Sequence, residues 1–312
     1  MLSSVILLGP QRHVPIVKAA VETLVPKSGA APLAVVTAGW EERELEDQEL
    51  RDHVQRPVVN LRIWERVERI LEEDPQLLAA MRQRHDTLRS VQELYRLRLH
   101  GLMEAARELF RRTGDETLLV PERADAIAML QQLDDQHVRR VAAIHAEFET
   151  RFRPQERPAV QREKRAIFDQ LAGACCLLIA GGHIAVLLHR LRLFDVLGLH
   201  GDRPVIAWSA GAMALCERIV LFHDAPPQGS SHAEVMEAGL GLARRVVVLP
   251  HAKRRLHSHE QRNMAVFARR FEPARCVLLD NGSRIDWRNR QWVGLPGTRH
   301  VATTGMVEEL TR

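Results

Sequence analysis

The sequence lacks the long apolar segments that would place it in or across a membrane. Its first apolar run, Val5 to Leu8, has no basic residues before it and is followed at once by Gly9-Pro10, which is unlike a signal peptide. The longest uncharged stretch, Leu171 to His189, is interrupted by Gly181-Gly182-His183, which favours a strand, a turn and a helix over a membrane span. We therefore predict a cytoplasmic protein with no membrane contact.

Cysteine and lysine are also scarce. The four cysteines lack metal-ligand spacing, so we predict that they are small core residues and that the protein holds no cysteine metal cluster; they are Cys175, Cys176, Cys216 and Cys276. Lysine supplies only four of the 44 basic residues, and the 40 acidic residues are interspersed with the basic ones. The formal charge of +4 therefore does not indicate a nucleic-acid partner.

The composition that remains is typical of a folded globular chain. Of its 312 residues, 46% are hydrophobic and 27% are charged. Apolar strand patterns alternate with helical patterns at both ends of the chain, which predicts an α/β fold with an open, mostly parallel sheet flanked by helices. Near the C-terminus, Ser283 to Trp287 and Gln291 to Gly294 alternate around Arg288-Asn289, and this pattern predicts a β-hairpin.

Between Trp64 and Arg157 the strand patterns disappear. Two long helical periodicities replace them, separated by Thr113-Gly114-Asp115, and the second restarts at Pro121. We predict an inserted helical hairpin at 64–157 within an α/β domain formed by 1–63 and 158–312. The hairpin could be a structural or homodimerisation arm, a lid over an active site, or a docking surface for another protein.

The most informative segment is Val205 to Met213, an apolar strand that leads into Ser209 and then a helix. Small residues around Ser209 permit a tight strand-to-helix turn, which would expose the hydroxyl beside backbone N–H groups at the helix start. This pattern is typical of a nucleophile elbow in a serine hydrolase.

A serine nucleophile needs a base, and the base needs an orienting acid. His251 directly follows the predicted strand Arg245 to Leu249, and Asp224 follows the strand Ile219 to Phe222, so both are placed where a parallel sheet presents catalytic loops. Other candidates remain open at this stage: His232, His257 and His259 for the base, and Glu234 or Glu237 for the acid.

Taken together, these motifs resemble the dipeptidase E and cyanophycinase family of serine peptidases, whose fold is related to the class I glutamine amidotransferases. The resemblance is carried by Ala180-Gly181-Gly182-His183, Trp208 to Ala212, Asp224, Leu249-Pro250-His251 and Glu260-Gln261-Arg262. It covers roughly residues 1–63 and 158–312 and leaves the helical hairpin unexplained.

The resemblance implies a catalytic triad of Ser209 as nucleophile, His251 as general base and then acid, and Asp224 as its orienter. It also implies an oxyanion hole made by the backbone N–H groups of Gly182 and Ala210, with no metal and no organic cofactor. A glycine pair suits that role because a backbone without side chains can approach a substrate carbonyl closely.

Substrate contacts are expected from Gly181, His183, Trp208 and Arg262. Arg262 could bind a substrate carboxylate, and the alternative is a solvated helix arginine. Three positions depart from the family pattern: Ala207 replaces a glycine, His183 replaces an asparagine, and Met213 stands where dipeptidase E has asparagine.

We expect a serine peptidase or amidohydrolase that cleaves a small peptide-like amide through an acyl-enzyme at Ser209. The alternative is a catalytically degenerate amidotransferase-like protein that acts as a binding or scaffold module through its helical insertion. A glutamine amidotransferase is disfavoured because the elbow carries serine where that chemistry uses cysteine.

Overall fold

A computed structural model describes residues 4–26, 31–222, 232–256 and 260–310. The helices are α1 Val17–Leu24, α2 Gln48–Val54, α3 Ile63–Glu73, α4 Pro75–Arg111, α5 Glu116–Phe152, α6 Pro158–Ala172, α7 Ile184–Phe194, α8 Val196–His200, α9 Ala210–Leu215, α10 Ala252–Arg255 and α11 Gln261–Phe271. The strands are β1 Val5–Leu8, β2 Leu33–Val36, β3 Val58–Asn60, β4 Cys176–Ile179, β5 Val205–Trp208, β6 Arg218–Leu221, β7 Glu234–Ala238, β8 Val246–Pro250, β9 Arg275–Leu279, β10 Arg284–Arg288, β11 Gln291–Gly294, β12 Arg299–Val301 and β13 Val307–Glu309.

The largest sheet has seven strands in the order β11-β10-β1-β5-β4-β2-β3. Its five strands from β1 to β3 are parallel, and β10 and β11 extend the edge as an antiparallel hairpin. Of these five, β1, β2, β4 and β5 are apolar throughout because helices cover both faces, whereas the edge strand β3 ends in Asn60. The predicted α/β class, its mostly parallel sheet and the C-terminal hairpin are confirmed.

A second sheet was not apparent from the sequence. It has the order β13-β12-β9-β8, in which β8 and β9 are parallel and the outer pairs are antiparallel. β6 and β7 form a separate antiparallel pair. An isolated bridge between Cys216 and Ala243 lies close to both β6 and β8 in the chain.

The core of the large sheet lies on both of its faces. Ile6, Leu8 and Val35 pack towards Val17 and Val21 of α1. The alternate side chains of the same strands pack in a larger cluster with residues of α3, α6, α7 and α9. Cys176, Cys216 and Cys276 are buried, as predicted for core residues, whereas Cys175 is only partly buried; all four are free thiols.

The hairpin consists of the two 37-residue helices α4 and α5, preceded by the shorter helix α3. The predicted restart at Pro121 is wrong: α5 begins at Glu116, and the Asp115 side chain caps it by accepting a hydrogen bond from the Thr117 N–H at 2.9 Å. Pro121 lies inside the helix. The helical bonding has already started at the Leu119 N–H, so Pro121 removes one intrahelical hydrogen bond, the one to the Thr117 carbonyl.

A buried ionic network joins the hairpin to α11. The Arg270 guanidinium donates two hydrogen bonds of 2.7 Å to the Asp134 carboxylate and one of 2.8 Å to the Tyr95 hydroxyl. Arg270 also donates to the Ala233 carbonyl at 2.7 Å, and all of these side chains are buried. The network therefore holds α4, α5 and α11 in one arrangement.

No helix within the described part of the chain is long and apolar enough to cross a membrane.

Candidate active site

Ser209 lies at the junction of β5 and α9, where the backbone turns sharply. Its φ of 50° and ψ of −122° form a strained conformation for a residue with a side chain. The Ser209 N–H donates to the Leu8 carbonyl at 3.1 Å, and the Ser209 carbonyl accepts from the Met213 N–H at 3.1 Å. These bonds hold the serine at the carboxyl edge of the parallel sheet, in the position that an elbow requires.

Close packing around the elbow explains its small residues. A Cβ on Gly211 would lie 2.4 Å from the Ile179 carbonyl oxygen, so only glycine lets α9 approach β4 this closely. Ala207, which departs from the family pattern, is fully buried in β5 and packs within the main core. Its methyl group therefore fits without altering the turn.

The glycine pair after β4 lies directly against the elbow. A Cβ on Gly181 would be 2.8 Å from the Ser209 Cβ and 3.3 Å from the Ala210 nitrogen. Gly182 has a φ of 110°, and a Cβ there would lie 2.1 Å from the Gly39 carbonyl oxygen. The two turns can approach this closely because both positions lack a side chain.

The N–H groups of Gly182 and Ala210 donate no hydrogen bond to any residue that the structure describes. Ala210 is the first residue of α9, whose N-terminal amides have no partner within the helix. Amides without a partner in the described part of the chain, next to a serine, are able to donate hydrogen bonds to an oxyanion.

His251 follows the last residue of β8. Its φ of 59° is left-handed, and its N–H donates to the Leu279 carbonyl at 3.2 Å. Burial, and after it the charges of Arg255 and Arg254, lower the pKa of His251, whereas the Asp280 carboxylate acts to raise it. The imidazole is therefore mainly neutral at pH 7, which is the form a general base needs.

Gly9 lies between the strand end that carries Ser209 and the strand end that carries His251. It follows Leu8, which accepts the Ser209 N–H, and a Cβ on Gly9 would lie 1.9 Å from the Asp280 carbonyl oxygen. Asp280 in turn follows Leu279, which accepts the His251 N–H. Among the described residues no hydrogen bond joins the Ser209 and His251 side chains. Catalytic hydrogen bonds are often loose before substrate binds.

The acid predicted from the sequence, Asp224, lies outside the described residues. The two alternatives have other partners: Glu234 accepts hydrogen bonds from Gln92 and Arg96, and Glu237 is paired with basic side chains of α5 and α7. Of the competing bases, His232 contacts His100 at 3.2 Å, and His257 and His259 lie outside the described residues.

Asp280 is a buried acid near His251 that the sequence did not reveal. Its Oδ1 accepts the Lys253 N–H at 2.9 Å, and Arg299 lies 3.5 Å from its Oδ2. Gly39, which packs against the glycine pair, was also missed. Both could have been found from their positions in the sequence, because each follows a buried strand: Gly39 follows β2 and Asp280 follows β9.

The other side chains predicted to contact substrate each have a partner or a buried position in the structure. His183 caps α7, because its Nδ1 accepts the Val186 N–H at 3.3 Å, as the family's asparagine could. Trp208 is buried at the end of β5. Arg262 is exposed on α11 and donates to the Arg111 carbonyl at 3.3 Å, at the C-terminal end of α4.

Comparison with known proteins adds to this geometry. Residues 98–293 match Peptidase family S51, a range that includes part of α4 and all of α5. The structure of a peptidase from an acI-B1 Actinobacterium matches with a TM-score of 0.50 and 13% identity, over 100% of this chain and 95% of that one. At this identity the structural match shows the fold alone. The search of curated proteins gave no match.

Proposed function

Because the chain belongs to peptidase family S51, we propose that it is a serine hydrolase that cleaves a small peptide-like amide through an acyl-enzyme at Ser209. The observation that carries this proposal is the positive φ of Ser209 at the strand-to-helix turn, beside the amides of Gly182 and Ala210, which have no hydrogen-bond partner among the described residues. Backbone strain of this kind costs about 1–3 kcal/mol and persists at functional sites where the surrounding structure enforces it.

In the first step the Ser209 Oγ attacks the substrate carbonyl carbon while His251 removes the hydroxyl proton. The carbonyl oxygen becomes an oxyanion that accepts hydrogen bonds from the N–H groups of Gly182 and Ala210. Each donor of this kind contributes roughly 10²–10³ to the rate, because it is already oriented when the charge develops.

In the second step the tetrahedral intermediate collapses and the C–N bond breaks. His251 donates its proton to the departing amine, which leaves an ester on Ser209. A water molecule then loses a proton to His251 and attacks this ester, releasing the carboxylic acid and restoring the serine. No metal or organic cofactor enters this scheme.

The orienting acid is Asp224 in our proposal, on the basis of the family resemblance. Asp280 assists through its charge, which favours the protonated form of His251 that arises during the reaction. Asp280 is itself held by the Lys253 N–H, so it acts through charge and through its support of the chain after His251.

The proposed substrate lies against Gly181, His183 and Trp208, which surround the elbow. Arg262 would bind a substrate carboxylate only by exchanging its contact with the Arg111 carbonyl, and this exchange would couple the hairpin to substrate binding. Such a coupling is one way in which the helical insertion could act as a lid.

Hydrolysis of Asp-X and β-aspartyl dipeptides, followed by chromatography of the released amino acids, tests the proposal. We expect turnover by the wild type and a loss of at least about 10³-fold in Ser209→Ala, because the nucleophile is removed. Ser90→Ala is the matched control: Ser90 is an exposed residue of α4 that bonds the Asp86 carbonyl. Equal activity in Ser209→Ala and Ser90→Ala would contradict the proposal.

A further inference from the structure

Two histidines and a glutamate, none of them part of the proposed triad of Ser209, His251 and Asp224, meet at one point. His145 of α5, His189 of α7 and Glu237 of β7 have ligand atoms that all lie within 4.8 Å of one another. The His145 Nε2 is 2.9 Å from one carboxylate oxygen of Glu237, and the His189 Nε2 is 2.8 Å from the other. Three elements distant in sequence thus direct metal-ligating atoms to one place.

We propose that His145, His189 and Glu237 bind one divalent cation of the zinc type, and that the bound cation fastens the helical hairpin to the α/β part of the chain. Imidazole nitrogen and carboxylate oxygen are ordinary zinc ligands, and two histidines with one glutamate form a known three-residue set. The proposal concerns a binding site and does not depend on the proposed peptidase chemistry.

The spacing requires little rearrangement. Ligand atoms at 2.0–2.2 Å from a tetrahedral zinc ion are about 3.4 Å apart, so the two histidine–carboxylate contacts would each open by roughly half an ångström. The cation would replace the two hydrogen bonds that now join the histidines to Glu237. All three side chains are largely shielded, with 17%, 18% and 4% of their surfaces exposed for His145, His189 and Glu237.

The protonation states also suit a metal, which binds neutral imidazole and ionised carboxylate. Burial lowers the pKa of His189, so its ring is neutral at pH 7. Burial acts to raise the pKa of Glu237, but hydrogen bonds from His145 and His189 and the charge of Arg192 outweigh it and hold that pKa far below its usual range. Each Nε2 that now donates to Glu237 would bind the cation after its proton moves to Nδ1, a change of tautomer that leaves the neutral imidazole neutral.

Two arginines lie nearby and their charges oppose a cation. Arg192 contacts Glu237 and donates to the Ala238 carbonyl, and Arg84 lies over the Phe148 ring at 4.1 Å from its centroid. Lys164 lines the same cavity, and the three cations are matched in number by the carboxylates of Glu149, Asp195 and Glu237, so the surroundings are not strongly cationic. Arg192 fits the role of a donor that orients a ligating carboxylate from outside the metal's own shell.

The cluster opens into a cavity of about 640 Å³ between the hairpin and α7. His145, His189, Glu237, Arg84 and Arg192 all line it. Three protein ligands leave the fourth position of a tetrahedral zinc ion facing this cavity, where water can occupy it. The cavity also provides a route by which the cation enters.

Zinc binding by the full-length protein tests the proposal. Protein stripped with EDTA and dialysed is titrated with ZnCl₂ against a chromophoric zinc chelator, and thermal unfolding is recorded with and without ZnCl₂. We expect one equivalent of zinc per chain and a higher Tm with zinc, because the ligands converge only in the folded chain. His145→Asn and His189→Asn should each lower the affinity at least tenfold and remove the Tm shift.

The control is His100→Asn, which alters another histidine pair of the hairpin, His100 with His232, and should leave zinc binding unchanged. Zinc binding that is absent from the wild type, or that survives in both His145→Asn and His189→Asn, would show that the cluster is an ion-pair network only and would overturn the proposal.

If a histidine variant lacks the native circular dichroism spectrum, modification of the wild type with diethyl pyrocarbonate tests zinc binding instead. Zinc should protect His145 and His189, but not His100, from modification as mapped by mass spectrometry. Equal modification of all three with and without zinc would overturn the proposal. Failure of the zinc experiment leaves the hydrolase proposal intact, because Ser209 labelling and turnover are measured without added metal.

Discussion

Individual residues at the elbow show how local geometry creates a candidate nucleophile. Ser209 adopts a backbone conformation that side chains disfavour, and Gly181, Gly182 and Gly211 make it possible because their missing side chains let neighbouring backbone approach. His183 and Ala207 depart from the family pattern, yet His183 caps α7 and Ala207 fits the core. The departures therefore leave the turn intact.

Gly181→Ala should inactivate the protein without unfolding it. The added Cβ would lie 2.8 Å from the Ser209 Cβ, so the serine must shift away from its position. A displacement of about 1 Å at a reacting group can cost roughly 10²-fold in rate. The control Gly173→Ala meets nothing closer than 4.0 Å and should retain full turnover. Equal turnover in the two variants, measured with the same dipeptide, would show that the Ser209 position is not critical.

The pH dependence of kcat/KM should report the charges around His251. Activity requires neutral His251, so it falls as the pH decreases through the pKa of this residue. Arg255 lowers that pKa, so Arg255→Gln should move the acidic limb to higher pH; Asp280 raises it, so Asp280→Asn should move the limb to lower pH. Limbs that coincide in the wild type and both variants would exclude His251 as the base.

At the scale of elements, the buried pair of Arg270 and Asp134 fixes the hairpin against α11. Removing one partner of such a pair leaves an uncompensated buried charge, which costs about 3–5 kcal/mol. We expect Asp134→Ala to lower the free energy of unfolding by that amount in urea denaturation. The control is the adjacent Asp135→Ala, whose partner Arg218 is partly exposed and whose loss should cost less than about 1 kcal/mol. Similar losses in the two variants would contradict a structural role for the buried pair.

At the scale of the whole molecule, the features that the sequence predicted correctly are those that depend on short stretches of chain. Apolar runs such as those of β1 and β5 predicted buried parallel strands, and the small residues around Ser209 predicted the tight strand-to-helix turn. The division into an α/β domain and a 64–157 insertion stays a prediction, and the family match, which begins at residue 98, includes much of the hairpin.

The rest depends on tertiary contacts that no local pattern encodes. β12 and β13 are three-residue strands with polar side chains, and they are strands only because β9 offers an edge for pairing. β7 carries two glutamates, and burial of Glu237 is tolerated because basic groups from α5 and α7 surround it. Asp280 similarly becomes a neighbour of His251 only when β8 and β9 pair.

Covalent labelling of the native protein with a fluorophosphonate, followed by peptide mapping, tests directly whether Ser209 is the nucleophile. We expect a single phosphonylated residue, Ser209, because only a serine with an activating base and an oxyanion hole reacts readily. Labelling should disappear in Ser209→Ala and persist in Ser90→Ala. An unlabelled wild type, or a label that persists in Ser209→Ala, would contradict this role of Ser209.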